Sequence, residues 1–291
     1  MVVLSSSHTP RELCSVPIEI HNQHVYVPVT CGAIAHLSFL LDSGAAASLN
    51  ILDRACATKL GITVEGSGSA PAIGGNAKIA FANSVDLSIP PLHLKPNRVA
   101  IMDLADGQAQ EGHAVDGLLG YALFQTYIVQ IDYPARRLNL FAFSKLRARS
   151  DYTKATSIPL LVRNKGCILS ARVKFNAGGK SIPLRLAVDT GFDGTIMLTS
   201  PFARKQGLLT GKATKGGGLG GETTAQDVRL RDLSIGRTLH LRDIVARASR
   251  DREGAFSSSE VDGYIGGGIL HRFIVTFDYK NGELLLTPQM E

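Results

Sequence analysis

The sequence repeats itself once, with a period of about 146 residues. The segment Val115–Gly120 (VDGLLG) recurs as Val261–Gly266 (VDGYIG), and Ile128–Tyr133 (IVQIDY) recurs as Ile274–Tyr279 (IVTFDY). Solenoid repeats are far shorter, about 20–50 residues. The repeat therefore predicts two homologous lobes, which we place at residues 1–148 and 149–291. A polar, basic stretch near Ser144–Ser157 is expected to join them.

Strands dominate the predicted secondary structure. Short apolar or alternating runs bounded by turn residues are typical of strands, and they fall at His24–Val29, Leu37–Leu41, Tyr127–Tyr133, Ile182–Val188 and Phe273–Tyr279. Short helices are expected at Asp53–Leu60, between Ser200 (N-cap) and Gln206, and after Gly120 and Gly266. Each lobe is thus predicted to be a mostly antiparallel β unit, which makes the whole fold all-β.

A third pair of matching segments places an aspartate at the end of a strand in each lobe. Asp42-Ser43-Gly44 recurs as Asp189-Thr190-Gly191, and an apolar run precedes each copy. Each aspartate should therefore lie in a turn that follows a buried strand. The glycines allow close approach of another chain segment, and the hydroxyls of Ser43 and Thr190 can hydrogen-bond across an interface.

Two such turns would meet if the lobes pair about an approximate two-fold axis. The carboxyl groups of Asp42 and Asp189 would then face each other. Like charges about 3 Å apart do not both ionise, so the pair would share one proton. The ionised member can take a proton from a bound water, while the protonated member donates to a peptide carbonyl. This arrangement predicts hydrolysis by direct attack of water.

Both motifs, together with the apolar-apolar-Gly elements Leu118–Gly120 and Tyr264–Gly266, resemble the aspartic peptidases of the pepsin and retropepsin clan. The resemblance covers about residues 15 to 290. It implies a bilobed acid-peptidase fold with a pseudo-two-fold axis and the activity of an aspartic endopeptidase. Asp42 and Asp189 would be catalytic and Ser43, Gly44, Thr190 and Gly191 would support the turns. A peptide or protein substrate would bind between the lobes, and neither a metal nor an organic cofactor is needed. We expect a monomer, because one chain already carries both aspartates.

Double-glycine turns recur at equivalent positions of the two lobes. They are Ile73-Gly74-Gly75 and Leu219-Gly220-Gly221. They are similar to the paired flaps of retroviral dimers, which implies a role in covering the substrate. Ordinary hairpin turns are the alternative interpretation.

The sequence departs from the pepsin pattern directly after each motif. Pepsins usually carry Ser or Thr there, and this chain has Ala45 and Phe192. Without those hydroxyls the ionised carboxylates should be stabilised less. We therefore expect a pH optimum milder than the strongly acidic one of pepsin.

A different class of function also fits this pattern. The chain could be a non-catalytic peptide-binding module that retains the fold, because sequence does not show whether the aspartates meet. Three other aspartate pairs recur without such a turn and are expected to be structural: Asp86 and Asp232, Asp116 and Asp262, Asp132 and Asp278. A glycine pattern at 216–221 lacks the strand-to-helix context of a dinucleotide site, and His21-x-x-His24 lacks further metal ligands.

Composition excludes several partners. The net charge is +6, and the arginines between Arg229 and Arg252 have no Phe, Trp or Tyr among them, so we expect a solvated face and no nucleic-acid binding. No apolar run reaches the roughly 18 residues of a membrane span. Met1–Pro10 has no visible signal-peptide pattern, which leaves the compartment open between a bacterial cytoplasm and, after removal of a leader, a periplasm. The four cysteines fit free, partly buried thiols.

Overall fold

A computed structural model describes residues 11–45, 49–95, 98–105, 112–143, 155–163, 166–176, 179–218, 221–237 and 239–289. Strands and four short helices make up its regular structure. The first half of the chain contains β1 Glu12–Pro17, β2 Glu19–His21, β3 His24–Cys31, β4 Ile34–Leu41, β5 Asn50–Asp53, α1 Arg54–Lys59, β6 Glu65–Ala72, β7 Gly75–Ala82, β8 Leu87–Ile89, β9 Leu92–His93, β10 Val99–Met102, β11 Gly117–Leu119, α2 Tyr121–Phe124, β12 Ile128–Asp132 and β13 Arg137–Phe141.

The second half repeats this order of elements. It contains β14 Thr156–Arg163, β15 Gly166–Lys174, β16 Ile182–Val188, β17 Ile196–Leu198, α3 Ser200–Lys205, β18 Thr214–Gly218, β19 Gly221–Ile235, β20 Leu239–Ser249, a single 3-10 turn at Ala255–Ser257, β21 Gly263–Ile265, α4 Gly267–Leu270, β22 Phe273–Asp278 and β23 Glu283–Pro288. The predicted all-β fold is confirmed. The predicted N-cap is off by one residue, because Thr199 caps α3 and Ser200 is its first residue.

Two sheets contain these strands within the described residues. The larger has the order β1-β13-β12-β22-β23-β14-β15-β16-β21-β17-β20-β19-β18, and the smaller has the order β6-β7-β10-β5-β11-β4-β3-β8-β9 with β2 on β3. Strands β12 and β22 join the halves, since Val129 pairs with Phe277 in an antiparallel ladder. Gln130 Nε2 also donates to Thr276 Oγ1 at 3.0 Å. The two halves therefore share one continuous sheet beneath the site.

Burial follows the two-residue period of the strands. In β15, Cys167, Leu169, Ala171 and Val173 are buried, and the residues between them are more exposed. Such alternation places one face of a strand on the core. All four cysteines are free and buried, as expected. Among the described residues, no helix has the length and apolarity that crossing a membrane requires. The proposed lobe boundary at 148/149 lies outside the described residues.

Candidate active site

In each half, the turn that carries the aspartate follows an equivalent strand, β4 before Asp42 and β16 before Asp189. β4 runs parallel to β11, and the backbone N–H of Asp42 donates to the Leu119 carbonyl at 2.9 Å. β16 runs parallel to β21 in the same way, and the N–H of Asp189 donates to the Ile265 carbonyl, also at 2.9 Å. The apolar-Gly elements thus lie beside the turns, as the resemblance implied. Each aspartate is fixed at the carboxyl end of a strand that is paired with a second buried strand.

The two turns are locked together by reciprocal hydrogen bonds. The Ser43 N–H donates to Thr190 Oγ1 at 2.9 Å, and the Thr190 N–H donates to Ser43 Oγ at 3.1 Å. Each hydroxyl then donates to a carbonyl of the opposite strand, Ser43 to Val188 at 2.8 Å and Thr190 to Leu41 at 2.7 Å. Both side chains are almost fully buried. These bonds fix the position of one aspartate relative to the other.

The carboxyl groups lie against each other's turns. A Cβ added to Gly44 would overlap the carboxyl group of Asp189, and one added to Gly191 would overlap that of Asp42. The two carboxyl groups are also hydrogen-bonded to each other. Glycine is thus required here by close approach, since any side chain would occupy the space of the facing carboxyl group.

The surroundings make the two carboxyl groups unequal. Burial raises the pKa of Asp42, and the backbone N–H groups of Ala45 and Gly44, both 2.8 Å from Oδ1, oppose this rise. Burial and then the negative charge of Asp42 raise the pKa of Asp189 well above 3.8, and it accepts one backbone N–H, from Gly191 at 2.9 Å. Hydrogen bonds to a carboxylate favour its ionised form. Two backbone donors at Asp42 against one at Asp189 therefore favour the ionised form of Asp42 more than that of Asp189.

A hairpin of the first half reaches across to the second half. β6 and β7 pair antiparallel around Ile73-Gly74, with Ala72 opposite Gly75. Ile73 packs against an apolar cluster beside the second turn, formed by Phe192, Met197, Ala225 and Phe256. A Cβ on Gly74 would overlap the backbone of Gly221 in the opposite hairpin. The tip of this hairpin is thus held between elements of the other half.

The second double-glycine turn is described in part. β18 and β19 form an antiparallel hairpin in which Gly218 pairs with Gly221. Leu219 and Gly220 lie outside the described residues. The two hairpin tips contact each other, since Gly218 lies against the Ile73 side chain. Both predicted hairpins are present, and their role as flaps stays a prediction.

Two of the three other repeated aspartate pairs accept hydrogen bonds from backbone N–H groups. Asp116 Oδ2 accepts the Ser38 N–H and Asp262 Oδ2 accepts the Arg185 N–H, both at 2.8 Å. Asp132 and Asp278 accept backbone N–H groups within their own turns. In the described residues, no group of three or more His, Cys, Asp or Glu side chains is arranged to hold a metal ion. These carboxylates stabilise turns and strands that support the site.

Sequence reasoning missed two side chains beside the second turn, His24 against Gly191 and Phe256 against Phe192. Burial is nearly complete for His24, whose Nε2 lies 3.1 Å from the Gly191 carbonyl oxygen. Phe256 lies in the 3-10 turn that follows Gly254, whose backbone approaches the hairpin tip at Ala72. The hairpin register of β3 and β4 could have pointed to His24. The repeat gave no indication of Phe256, because the first half has no matching aromatic residue at the equivalent position.

Comparison with known proteins agrees with this geometry. The family model described as "Aspartyl protease" matches twice, at residues 27–123 and 171–267. The chain belongs to the aspartyl protease family. A crystal structure of the aspartic proteinase from Irpex lacteus has a similar fold, with a TM-score of 0.58 and 14% sequence identity over 95% of this chain and 97% of that one. No curated protein matches this sequence.

Family and fold together support a peptidase function in general terms. The bilobed, duplicated form that the sequence predicted is confirmed. Ala45 has no hydroxyl to offer Asp42, as its sequence predicts, but its backbone N–H donates to that carboxyl group at 2.8 Å. The N–H of Phe192 instead points to the backbone carbonyl of Asp189 at 3.4 Å. Its ring belongs to the apolar cluster that receives Ile73.

Proposed function

We propose that this protein is an aspartic endopeptidase in which Asp42 and Asp189 together activate one water molecule. The observation that carries this proposal is the facing pair of carboxyl groups, each lying against the glycine of the other's turn. Their unequal environments support distinct roles. A carboxyl group whose pKa is raised can act as a general acid near neutral pH, whereas its ionised partner can act as a base.

The reaction follows from these protonation states. Asp42 removes a proton from the water as its oxygen bonds to the peptide carbonyl carbon, and Asp189 gives its proton to the carbonyl oxygen. The resulting neutral diol collapses when Asp42 passes its proton to the leaving nitrogen and one hydroxyl returns a proton to Asp189. The C–N bond breaks, and both carboxyl groups regain their starting states. No covalent bond to the enzyme forms.

The hairpins support an extended peptide as substrate. Backbone groups along β6–β7 and β18–β19 can pair with a strand-like chain, and the tips meet above a cluster that includes Phe192. Binding under two flaps from one chain requires no second subunit. We therefore infer a polypeptide substrate and catalysis by the monomer.

Cleavage of a quenched fluorescent peptide library tests this proposal, measured from about pH 3 to about pH 8 to span ordinary carboxyl and imidazole pKa values. Wild type should cleave, and both Asp42→Asn and Asp189→Asn should be inactive while folded. Asp227→Asn is the matched control, because this carboxylate is 76% exposed and pairs loosely with Arg247 at 3.9 Å. Its activity should equal that of wild type.

The alternative, a non-catalytic peptide-binding module, predicts a different result. Such a protein would bind peptides without turnover and would not prefer a statine-type transition-state mimic such as pepstatin. A folded but inert wild type, or full activity in either active-site variant, would contradict the shared-pair mechanism.

A further inference from the structure

One histidine faces the carboxyl pair from the first half alone. Strands β3 and β4 pair antiparallel with Tyr26 opposite Leu40, and continuing this register by two residues places His24 opposite Asp42. Residues two apart share a face of a strand, and opposite residues lie about 4.5–5.5 Å apart at Cβ. The imidazole and the Asp42 carboxyl group are therefore cross-strand neighbours.

The second half has no equivalent side chain. Strands β15 and β16 pair with Leu169 opposite Leu186, and the same continuation places Gly166 opposite Asp189. Gly166 carries no side chain. The duplication is thus broken at this position, so that Asp42 faces an imidazole and Asp189 faces a bare backbone.

The imidazole also reaches the second turn. His24 Nε2 lies 3.1 Å from the Gly191 carbonyl oxygen, and since that oxygen only accepts, Nε2 carries the proton and donates. The same Gly191 donates its N–H to Asp189 Oδ1 at 2.9 Å. His24 is 4% exposed, so this bond is shielded from competing water. His24 of the first half is therefore hydrogen-bonded to Gly191, the residue whose N–H donates to the Asp189 carboxyl group.

Titratable groups face His24 from several elements. They are Asp42 in the first turn, Asp189 in the second turn by way of Gly191, Tyr26 on its own strand, and beyond Tyr26 the residues His113, His21 and Glu19. The Tyr26 ring lies edge-on to His24 with centroids 6.4 Å apart and stacks on His113 at 3.9 Å. His113 pairs with the exposed Glu19 at 3.1 Å. Burial is the largest influence on the pKa of Asp42 and raises it, and a positive charge on the neighbouring His24 opposes that rise.

We propose that His24 is a positioning residue: it holds the Gly191 turn in place through its hydrogen bond, and as the cross-strand neighbour of Asp42 it makes the surroundings of the two carboxyl groups unequal. Asp189 is then left as the proton-bearing acid. This inference rests on the proposed peptidase function for its catalytic consequence. The contact, the missing counterpart at Gly166 and the electrostatic effect belong to the folded protein whether or not it cleaves peptides.

Kinetic pH profiles of His24→Gln and His24→Phe test the proposal. Glutamine can still donate to the Gly191 carbonyl but carries no charge. In His24→Gln, the acid limb of the kcat/KM profile should therefore move to higher pH than in wild type, while kcat near neutral pH is unchanged. Phenylalanine loses the bond as well, and kcat should fall about three- to tenfold, the value of one hydrogen bond. His93→Gln is the matched control, because His93 is 71% exposed and pairs with Asp86.

A merely structural His24 would lower kcat without moving the acid limb. An acid limb in both His24 variants that coincides with wild type would therefore overturn the proposal, whatever happens to kcat. Should phenylalanine unfold the chain, His24→Gln still tests the charge.

Titration of the aspartate carboxyl carbons by NMR separates this inference from the proposed function, since it needs no turnover. The Asp42 carboxyl should titrate at higher pH in both His24 variants than in wild type or His93→Gln. If this shift appears in a protein that cleaves nothing, the inference stands and the proposed function fails. If cleavage depends on both aspartates but the shift is absent, the proposed function stands and the inference fails.

Discussion

Ser43 and Thr190 exchange backbone-to-hydroxyl hydrogen bonds at 2.9 and 3.1 Å across the junction of the two halves. Removing either hydroxyl takes the acceptor from a buried N–H of the other turn and a donor from a buried carbonyl, and a buried polar group left unsatisfied costs about 1–3 kcal/mol. We expect Thr190→Val and Ser43→Ala each to lower the free energy of unfolding and kcat together. Chemical denaturation and kinetics measure both quantities.

The reciprocal geometry also predicts non-additivity. Because each hydroxyl serves the other turn, the double variant should lose less stability than the two single losses combined. Thr58→Val is a suitable control, since Thr58 is exposed and bonds only within α1, to the Arg54 carbonyl. Strict additivity would mean that the two turns are held independently.

The raised pKa values of both aspartates predict a bell-shaped pH profile displaced from strongly acidic conditions. In the proposed mechanism, activity requires an ionised Asp42 and a protonated Asp189. It is lost at low pH when Asp42 takes up a proton and at high pH when Asp189 loses one. Since burial raises both pKa values above 3.8, the maximum of kcat/KM should lie well above that of a pepsin. A maximum near pH 2 would refute this expectation.

The raised pKa of Asp189 also predicts that this residue destabilises the fold near neutral pH. Its pKa is higher in the folded than in the unfolded chain. Its stabilising contribution is therefore complete below the unfolded pKa and is lost as pH rises through the folded pKa. Asp189→Asn removes this dependence. Its Tm should exceed that of wild type near pH 7, by about 2–4 °C for each kcal/mol gained in a chain of this size.

The stability advantage of Asp189→Asn should vanish near pH 3, where the wild-type carboxyl group is protonated in both states. Thermal unfolding at the two pH values measures the difference directly. Asp227→Asn should show no such advantage, because that carboxylate is mostly exposed. An equal gain in Tm at both pH values would attribute the effect to packing.

The packing of Ile73 predicts a role for the first flap in substrate affinity. Its side chain contacts the cluster containing Phe192 and Phe256, which holds the tip over the second turn. Ile73→Asp should raise KM about tenfold or more while altering kcat less, because a carboxylate in that cluster would have no compensating partner. Val64→Ala is the control, since Val64 is 41% exposed. An unchanged KM would exclude this flap from substrate binding.

Most of the fold followed from the sequence because the duplication is visible in it. Matching blocks fixed the equivalence of the halves, and apolar runs before Asp42 and Asp189 placed both at strand ends. The approach of His24 to Gly191 was not predicted, because these residues are 167 positions apart and depend on how the halves dock. The packing of Ile73 depends on the same docking. Local periodicity carries no information about either contact.

The two motif glycines provide the sharpest test of carboxyl placement. Neither Gly44 nor Gly191 has a positive φ, so alanine adds a Cβ without backbone strain. At Gly191 that atom would overlap the Asp42 carboxyl group and displace it from its partner. A displacement of about 1 Å in a catalytic group can cost roughly 100-fold in rate. Gly191→Ala and Gly44→Ala should therefore lose about that much kcat/KM while remaining folded by circular dichroism.

Gly211→Ala is the control, because its nearest neighbour is the flexible Gln226 side chain at 3.2 Å. Activity near wild type in Gly191→Ala would mean that the reacting position of Asp42 lies elsewhere.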